Sequence, residues 1–338
     1  MPRLYPHDGA GGERLIHNQL QVYAGERKNL CGDRGTNAGQ GRHLHRFRGL
    51  YLKPGGRLFQ HGTHRGLIGA HAQWFKLKRG NRKQVKAYRK IAYDVQRGSA
   101  RIVLNRPERR NALDQELLTE LRDALRVSGV DKSVRVVVVA GAGQDFCSGM
   151  DLRTFADDAS GDLEKFRSEA RNMAAVLLDM RRHPRPIVAA VQGRALGGGC
   201  GIATAADMVL AADSAQFGYP EVNIGFVPAI VIAILRRLVG EKRAFELIAS
   251  GEAVSAQTAL DYGMLNRVFP AAAFEQEVEA FVTNLASKST SALTLSKELF
   301  YRTDGMPLEA ALEAGAQVNA FARTTEDFQR GIGKFLKK

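Results

Sequence analysis

From residue 88 onward the chain alternates short apolar runs with stretches in which apolar residues recur every three to four positions, the two patterns that separate strands from helices. Ile102-Val103-Leu104 predicts a short strand, ended by Asn105-Arg106-Pro107. After Asp114, the residues Leu117, Leu118, Leu121 and Leu125 share one helical face, and Gly129 ends that helix. Residues 134–140 (VRVVVVA) form a nearly continuous apolar run, the pattern of a strand buried on both faces and parallel to its neighbours. A loop at 141–152 (GAGQDFCSGMDL) leads to a long helical stretch at 163–182, punctuated by Pro184 and Pro186. Residues 187–191 (IVAAV) predict a second buried strand, followed by the turn 192–196 and the triplet Gly197-Gly198-Gly199. Helical spacing resumes at 202–206, and 208–212 reads as strand.

Beyond Val227 the pattern is helical, with Gly240, Gly251, Gly263 and Pro307 as breaks. The segments 272–287, 290–302 and 307–323 follow one another with no strand between them. Strands alternating with helices predict an α/β fold. The helical tail suits an oligomerisation or lid element.

The first ninety residues break the pattern. They show no sustained period and hold 19 Lys and Arg against 4 Asp and Glu, a net +15, whereas residues 91–338 hold 30 against 31. The formal charge of +14 therefore belongs to the first quarter of the chain. Leu, Ile, Val and Phe supply 17 of these 90 residues, just under the level below which charged segments stay disordered. Residues 1–85 are expected to be a basic leader that does not pack on the core. Its Arg excess also suits a targeting peptide, against which its length and lack of serine argue. A nucleic-acid arm is the other reading, but no RNP, zinc-finger or helix-turn-helix signature supports it.

The chain as a whole, at 338 residues with 44% apolar and 25% charged, has globular composition. No apolar run reaches 18 residues, which excludes a spanning helix. The three cysteines, Cys31, Cys147 and Cys200, are too widely spaced for a disulfide framework and favour a reducing, cytoplasmic setting. Neither a membrane nor nucleic acid is an expected partner.

Two strand-to-loop junctions carry the candidate chemistry. One delivers Ser148-Gly149 and the other Gly197-Gly198-Gly199. Small residues there let a ligand approach the backbone, and a helix starting behind the second turn aims its N–H groups and positive dipole end at that ligand. Two such N–H groups converging on one oxygen make an oxyanion hole. The same glycines also permit close packing of helix on strand, and spacing alone leaves both readings open. A nucleotide loop is excluded, since no GK[ST] follows and no GxGxxG opens the helix.

The stretches LNRPERRNALD (104–114), VRVVVVAGAGQDFCSGMDL (134–152), RPIVAAVQGRALGGGCGIATAADMVLAA (185–212), AQFGYPEVNIGFVPA (215–229) and TEDFQRGIGKFLKK (325–338) occur in the order seen in the enoyl-CoA hydratase/isomerase (crotonase) family, and the chain from about residue 88 resembles that family throughout. The resemblance implies a crotonase-like (ββα)n superhelix with a C-terminal helical oligomerisation region, divided as leader 1–85, acyl-CoA-binding core 86–275 and helical region 276–338. It also implies a homotrimer or hexamer.

The resemblance implies specific residues as well. The oxyanion donors are the N–H groups of Ser148 and Gly198, and the segment Ser148-Gly149-Met150-Asp151 contacts the adenine end of CoA through its backbone. Glu221 is the acid/base. Hydratases of the family typically carry a second glutamate where this chain has Gly201, and Ala229 replaces an aspartate found in dienoyl-CoA isomerases and dehalogenases. The function implied is hydration of a 2-enoyl-CoA by a single glutamate, with no metal or separate cofactor because CoA is part of the substrate. The alternatives are an enoyl-CoA Δ-isomerase and a silent acyl-CoA binder. Arg109 and Arg110 are candidates for CoA phosphates, Cys147 and Cys200 are expected as small core residues, and His183 as a helix-end cation.

Overall fold

The computed structural model describes residues 88–156 and 161–337. The expectation that residues 1–85 do not pack on the core lies outside the described residues. The strands are β1 (Ile91–Gln96), β2 (Ser99–Leu104), β3 (Val136–Gly141), β4 (Ile187–Val191), β5 (Arg194–Leu196), β6 (Met208–Ala212), β7 (Gln216–Gly218), β8 (Ala253–Ser255) and β9 (Arg267–Phe269). The helices are α1 (Gln115–Val130), α2 (Leu152–Ala156), α3 (Leu163–Arg182), α4 (Gly198–Ala205), α5 (Ala229–Leu238), α6 (Glu241–Ser250), α7 (Ala256–Asp261), α8 (Phe274–Ala286), α9 (Thr290–Arg302), α10 (Leu308–Ala322) and α11 (Glu326–Phe335).

A hairpin starts the large sheet. Arg97 and Gly98, at φ 49° and 80°, turn β1 back onto β2 with the twist such hairpins need. From β2 onward every pairing is parallel, giving the order β1-β2-β3-β4-β6-β9. All of β3 is buried, and its alternation divides it between two layers. Val137 and Val139 join Leu117, Leu121, Val176 and Met180 of α1 and α3, while Val136, Val138 and Ala140 meet Phe274, Val278 and Val282 of α8. Each such side chain contributes about 1.5–3 kcal/mol by leaving water. The expected boundary at residue 276 therefore falls inside α8, a helix that forms the sheet's second cover.

A small sheet, in the order β5-β7-β8, lies after the large one in each winding. Strand β4 joins the large sheet, β5 the small one, and α4 follows; β6, β7 and α5 repeat the path. Single bridges, Cys147 with Ala195 and Leu113 with Met150, carry the small layer further. This is the (ββα)n superhelix. The stretch beyond Val227 is not wholly helical, however. Strands β8 and β9 interrupt it, each only three residues long and partly exposed, so neither shows a period in the sequence.

Helix α9 is tied down by buried Lys297. Its Nζ donates to Asp207 Oδ2 (2.7 Å), Met180 O (2.9 Å) and Arg185 O (3.1 Å), while Tyr301 donates to Asp207 Oδ1 (2.8 Å). Helices α10 and α11 bury no residue, and Leu308, Leu312, Phe321 and Phe335 stand exposed. Among the described residues no helix is long and apolar enough to cross a membrane.

His183, expected as a cation at the end of α3, is instead buried and neutral. Burial pushes its imidazole down to about 4. The hydrogen-bond network assigns the tautomer: Arg185 N donates to Nδ1 (3.0 Å), leaving Nε2–H to donate to Leu125 O (3.1 Å).

Candidate active site

The turn leaving β3 is shaped by two buried polar side chains. Asn111, at φ 55°, donates through Nδ2 to the carbonyls of Ala142 (2.9 Å) and Asp145 (2.8 Å) and accepts at Oδ1 from Arg106 N (2.9 Å). Asp145 accepts at Oδ1 from Arg194 N (3.0 Å) and Nε (2.8 Å), and at Oδ2 from Nη2 (2.8 Å). Burial alone would raise the Asp145 carboxyl, but the side-chain and backbone hydrogen bonds from Arg194 outweigh it and hold the carboxyl below the ordinary aspartate value. The two turns are thus fastened together. Cys147 N donates to Arg194 O and Leu196 N to Cys147 O, both at 2.9 Å.

Helix α4 begins at Gly198, earlier than the spacing of Ile202 onward suggests, because the glycines that start it carry no apolar signal. As the first helical residue, Gly198 has no intrahelical acceptor for its N–H. Gly149 lies close by: a Cβ on it would stand 3.0 Å from Leu196 O and 3.7 Å from Gly198 N. The expected second donor, Ser148, is already engaged. Its N–H donates to Arg110 O at 3.0 Å, turned toward it by the left-handed φ of 53° at Arg110. The N–H of Met150, two residues on, has no acceptor among the described residues, since the bridge to Leu113 uses Gly149 O and Asp151 N. Met150 also reaches the other turn, its Cγ lying 3.8 Å from where a Cβ on Gly198 would be. Backbone geometry therefore favours Met150 over Ser148 as the partner of Gly198.

The segment expected to meet the adenine end of CoA is partly committed as well. Asp151 N donates to Leu113 O, and the Asp151 carboxylate pairs with Arg106 at 3.0 Å. The carbonyls of Ser148 and Met150 remain as acceptors among the described residues. Arg109 and Arg110 are exposed on the turn after β2.

Glu221 lies in a 3-10 turn, Pro220–Ile224, that Tyr219 precedes and Gly225 ends at φ 70°. Gly197 N donates to Gly218 O at 2.8 Å, which sets this turn beside the triple glycine. The carboxyl group rests on Gly197: a Cβ there would meet Oε1 at 2.8 Å, and Gly197 itself has φ 53°. Oε2 is buried without a hydrogen-bond partner among the described residues. Burial pushes the Glu221 carboxyl above the ordinary glutamate value. A carboxyl group with one unpartnered oxygen and a raised affinity for its proton, beside two unused N–H groups, suits proton transfer next to a carbonyl oxygen that gains charge.

The other positions play supporting parts. Gly201 has no room for a side chain, because a Cβ there would overlap Cγ1 of buried Val231. Cys147 and Cys200 are fully buried, and burial pushes both thiols up to about 12, so they pack rather than react. Among the described residues no group of three His, Cys, Asp or Glu side chains is placed to hold a metal.

Comparisons with known proteins identify the family and the fold. A family model described as enoyl-CoA hydratase/isomerase matches residues 94–338. A putative enoyl-CoA hydratase of Thermus thermophilus is 38% identical over 245 residues, covering 72% of this chain and 97% of that protein. The 2,3-dehydroadipyl-CoA hydratase of Escherichia coli is 33% identical over 239 residues, covering 70% and 91%. The crystal structure of an enoyl-CoA hydratase from Mycobacterium smegmatis superposes with a TM-score of 0.71 at 32% identity, covering 74% of this chain and 96% of the other. Sequence and winding agree, and the chain belongs to the enoyl-CoA hydratase/isomerase family.

Proposed function

We propose that the protein adds water across the C2=C3 double bond of a 2-enoyl-CoA thioester. The observation that carries this reading is the buried, unpartnered Oε2 of Glu221 beside the turn that presents Gly198 N–H. The thioester oxygen is held by the N–H groups of Gly198 and Met150. As water oxygen bonds to C3, its proton passes to the Glu221 carboxylate and the π pair moves toward C2 and the thioester oxygen. Glu221 then returns the proton to C2, the carbonyl re-forms, and one water has been added with no other reactant. The raised proton affinity of Glu221 serves both halves, as a stronger base and a readily refilled acid. Each oxyanion donor is worth about 10²–10³ in rate.

Double-bond isomerisation is the second reading, favoured by Val231 against Gly201, which leaves an aliphatic wall where a second acid/base would sit. The two separate on substrate. Incubation with 2-enoyl-CoA should give a product heavier by one water. Conversion of a 3-enoyl-CoA to its 2-enoyl isomer without hydration of the 2-enoyl-CoA would replace hydratase by isomerase, and no turnover of either would leave an acyl-CoA binder. The adenine end of CoA would take the free carbonyls of Ser148 and Met150. The exposed apolar residues of α10 and α11 support assembly as a trimer or hexamer, which light scattering of the eluted protein reads directly.

A further inference from the structure

We infer that the Asp145–Arg194 ion pair is a positioning device that sets the gap between the Gly198 and Met150 N–H groups and so the polarisation of the thioester carbonyl; this rests on the two-donor reading above. The two donors are not bonded to one another. Met150 lies five residues beyond Asp145 and Gly198 four beyond Arg194, on segments that run side by side from the pair. The last backbone bond between these segments is Leu196 N to Cys147 O. At the near end two backbone bonds, Phe146 N to Gln192 O (2.8 Å) and Cys147 N to Arg194 O (2.9 Å), are joined by a single carboxylate that takes three hydrogen bonds from a single arginine, two from the guanidinium fork and one from the backbone. A fork-to-carboxylate pair constrains direction as well as distance.

A second observation shows that the surroundings accommodate this contact. Gly193, at φ 57°, stands where a Cβ would overlap Gln144 O and come within 2.9 Å of Asp145 Oδ1, so the glycine makes room for this turn and for the carboxylate that reaches Arg194 N. The Asp145 side chain is 9% exposed and that of Arg194 36%. Charge pairs removed from water add little net stability compared with apolar packing, and their best-attested use is to fix register. The role inferred for both acts through the backbone of the two turns, so both are positioning residues.

The test uses the full-length protein and butyryl-CoA labelled with carbon-13 at the thioester carbonyl, a saturated probe. The isotope-edited infrared band of the bound carbonyl should lie below its position in water for the wild type. In Asp145→Ala the band should move back toward the aqueous position. Turnover of a 2-enoyl-CoA should fall about 10- to 100-fold in kcat, the scale of an ångström-sized misplacement. KM should change by less than about threefold, because the lost interaction is made chiefly in the transition state. Arg194→Lys keeps the charge without the fork and should give an intermediate band and kcat; it decides the matter if Asp145→Ala fails to fold by circular dichroism. A folded variant that melts earlier yet keeps the wild-type band and kcat overturns the proposal. A wild-type band unmoved from water overturns the two-donor reading instead, and the positioning role with it.

Discussion

Asp145 stands on the turn leaving β3 and Glu221 on the turn leaving β7, both at least partly withdrawn from water, and they meet opposite fates. Arg194 supplies the Asp145 oxygens with three hydrogen bonds, and the carboxyl is held below its ordinary value. Glu221 has an oxygen with none, and its carboxyl is held above. A carboxylate whose hydrogen bonds are satisfied fixes geometry, whereas one left wanting is ready to exchange a proton. The difference separates the part of the site that holds shape from the part that reacts.

Removing the reactive member should have the largest effect. Glu221→Gln keeps size but ends proton transfer, and kcat should fall about 10²–10⁴-fold with acyl-CoA affinity retained. A loss below about tenfold would move the acid/base role to another residue.

Gly197→Ala comes next. It forces φ 53°, ψ −124°, a region open mainly to glycine, on a residue with a side chain, at roughly 1–3 kcal/mol, and pushes its Cβ against Glu221 Oε1. Activity should drop about 10- to 100-fold. In the Glu221→Gln background the same exchange should add almost nothing to the loss, and full additivity would show that Gly197 acts elsewhere.

The structural member is read in stability. Asp145→Ala should cost about 2–3 kcal/mol at neutral pH, below the 3–5 of a fully buried pair because Arg194 is 36% exposed. Its folded carboxyl lies below the ordinary 3.8, so the wild-type advantage is complete above that value and lost as the pH falls through the folded one. Thermal melts of both proteins across acid pH check this.

The smallest effect has the opposite sign. The Glu221 carboxyl is raised above 4.5, so the wild type should lose stability relative to Glu221→Gln as the pH rises from that value through the folded one. A difference in Tm between the two proteins that does not change with pH would contradict the raised carboxyl.

Much of the frame was legible in the sequence. Strands β4 and β6 and helices α1 and α3 lie where apolar runs and helical spacing put them, with Asp114 capping α1 through Leu117 N. Strands β5, β7, β8 and β9 are three residues each, too short to show a period, and pairing alone defines them. Strand β1, IAYDVQ, hides behind its polar residues at an edge. In the site, Gly198 and Glu221 were visible as motif positions. Met150 was named only within the segment expected to contact CoA and not as a donor, because which N–H in the loop remains free depends on the carbonyl that Arg110 turns toward Ser148, thirty-eight positions away in sequence. The neutral state of His183 likewise comes from burial between helices, which its position at a helix end does not show in the sequence.

The contact of Val231 with Gly201 ties the two positions to one another. A glutamate introduced at 201 alone collides with the valine, and shrinking Val231 alone leaves a hole beside the oxyanion turn. Each first step is deleterious on its own, so the two positions are epistatic and must change together. A carboxylate at 201 therefore needs a smaller residue at 231 beside it, and with glycine and valine in place the proton path runs through Glu221 alone.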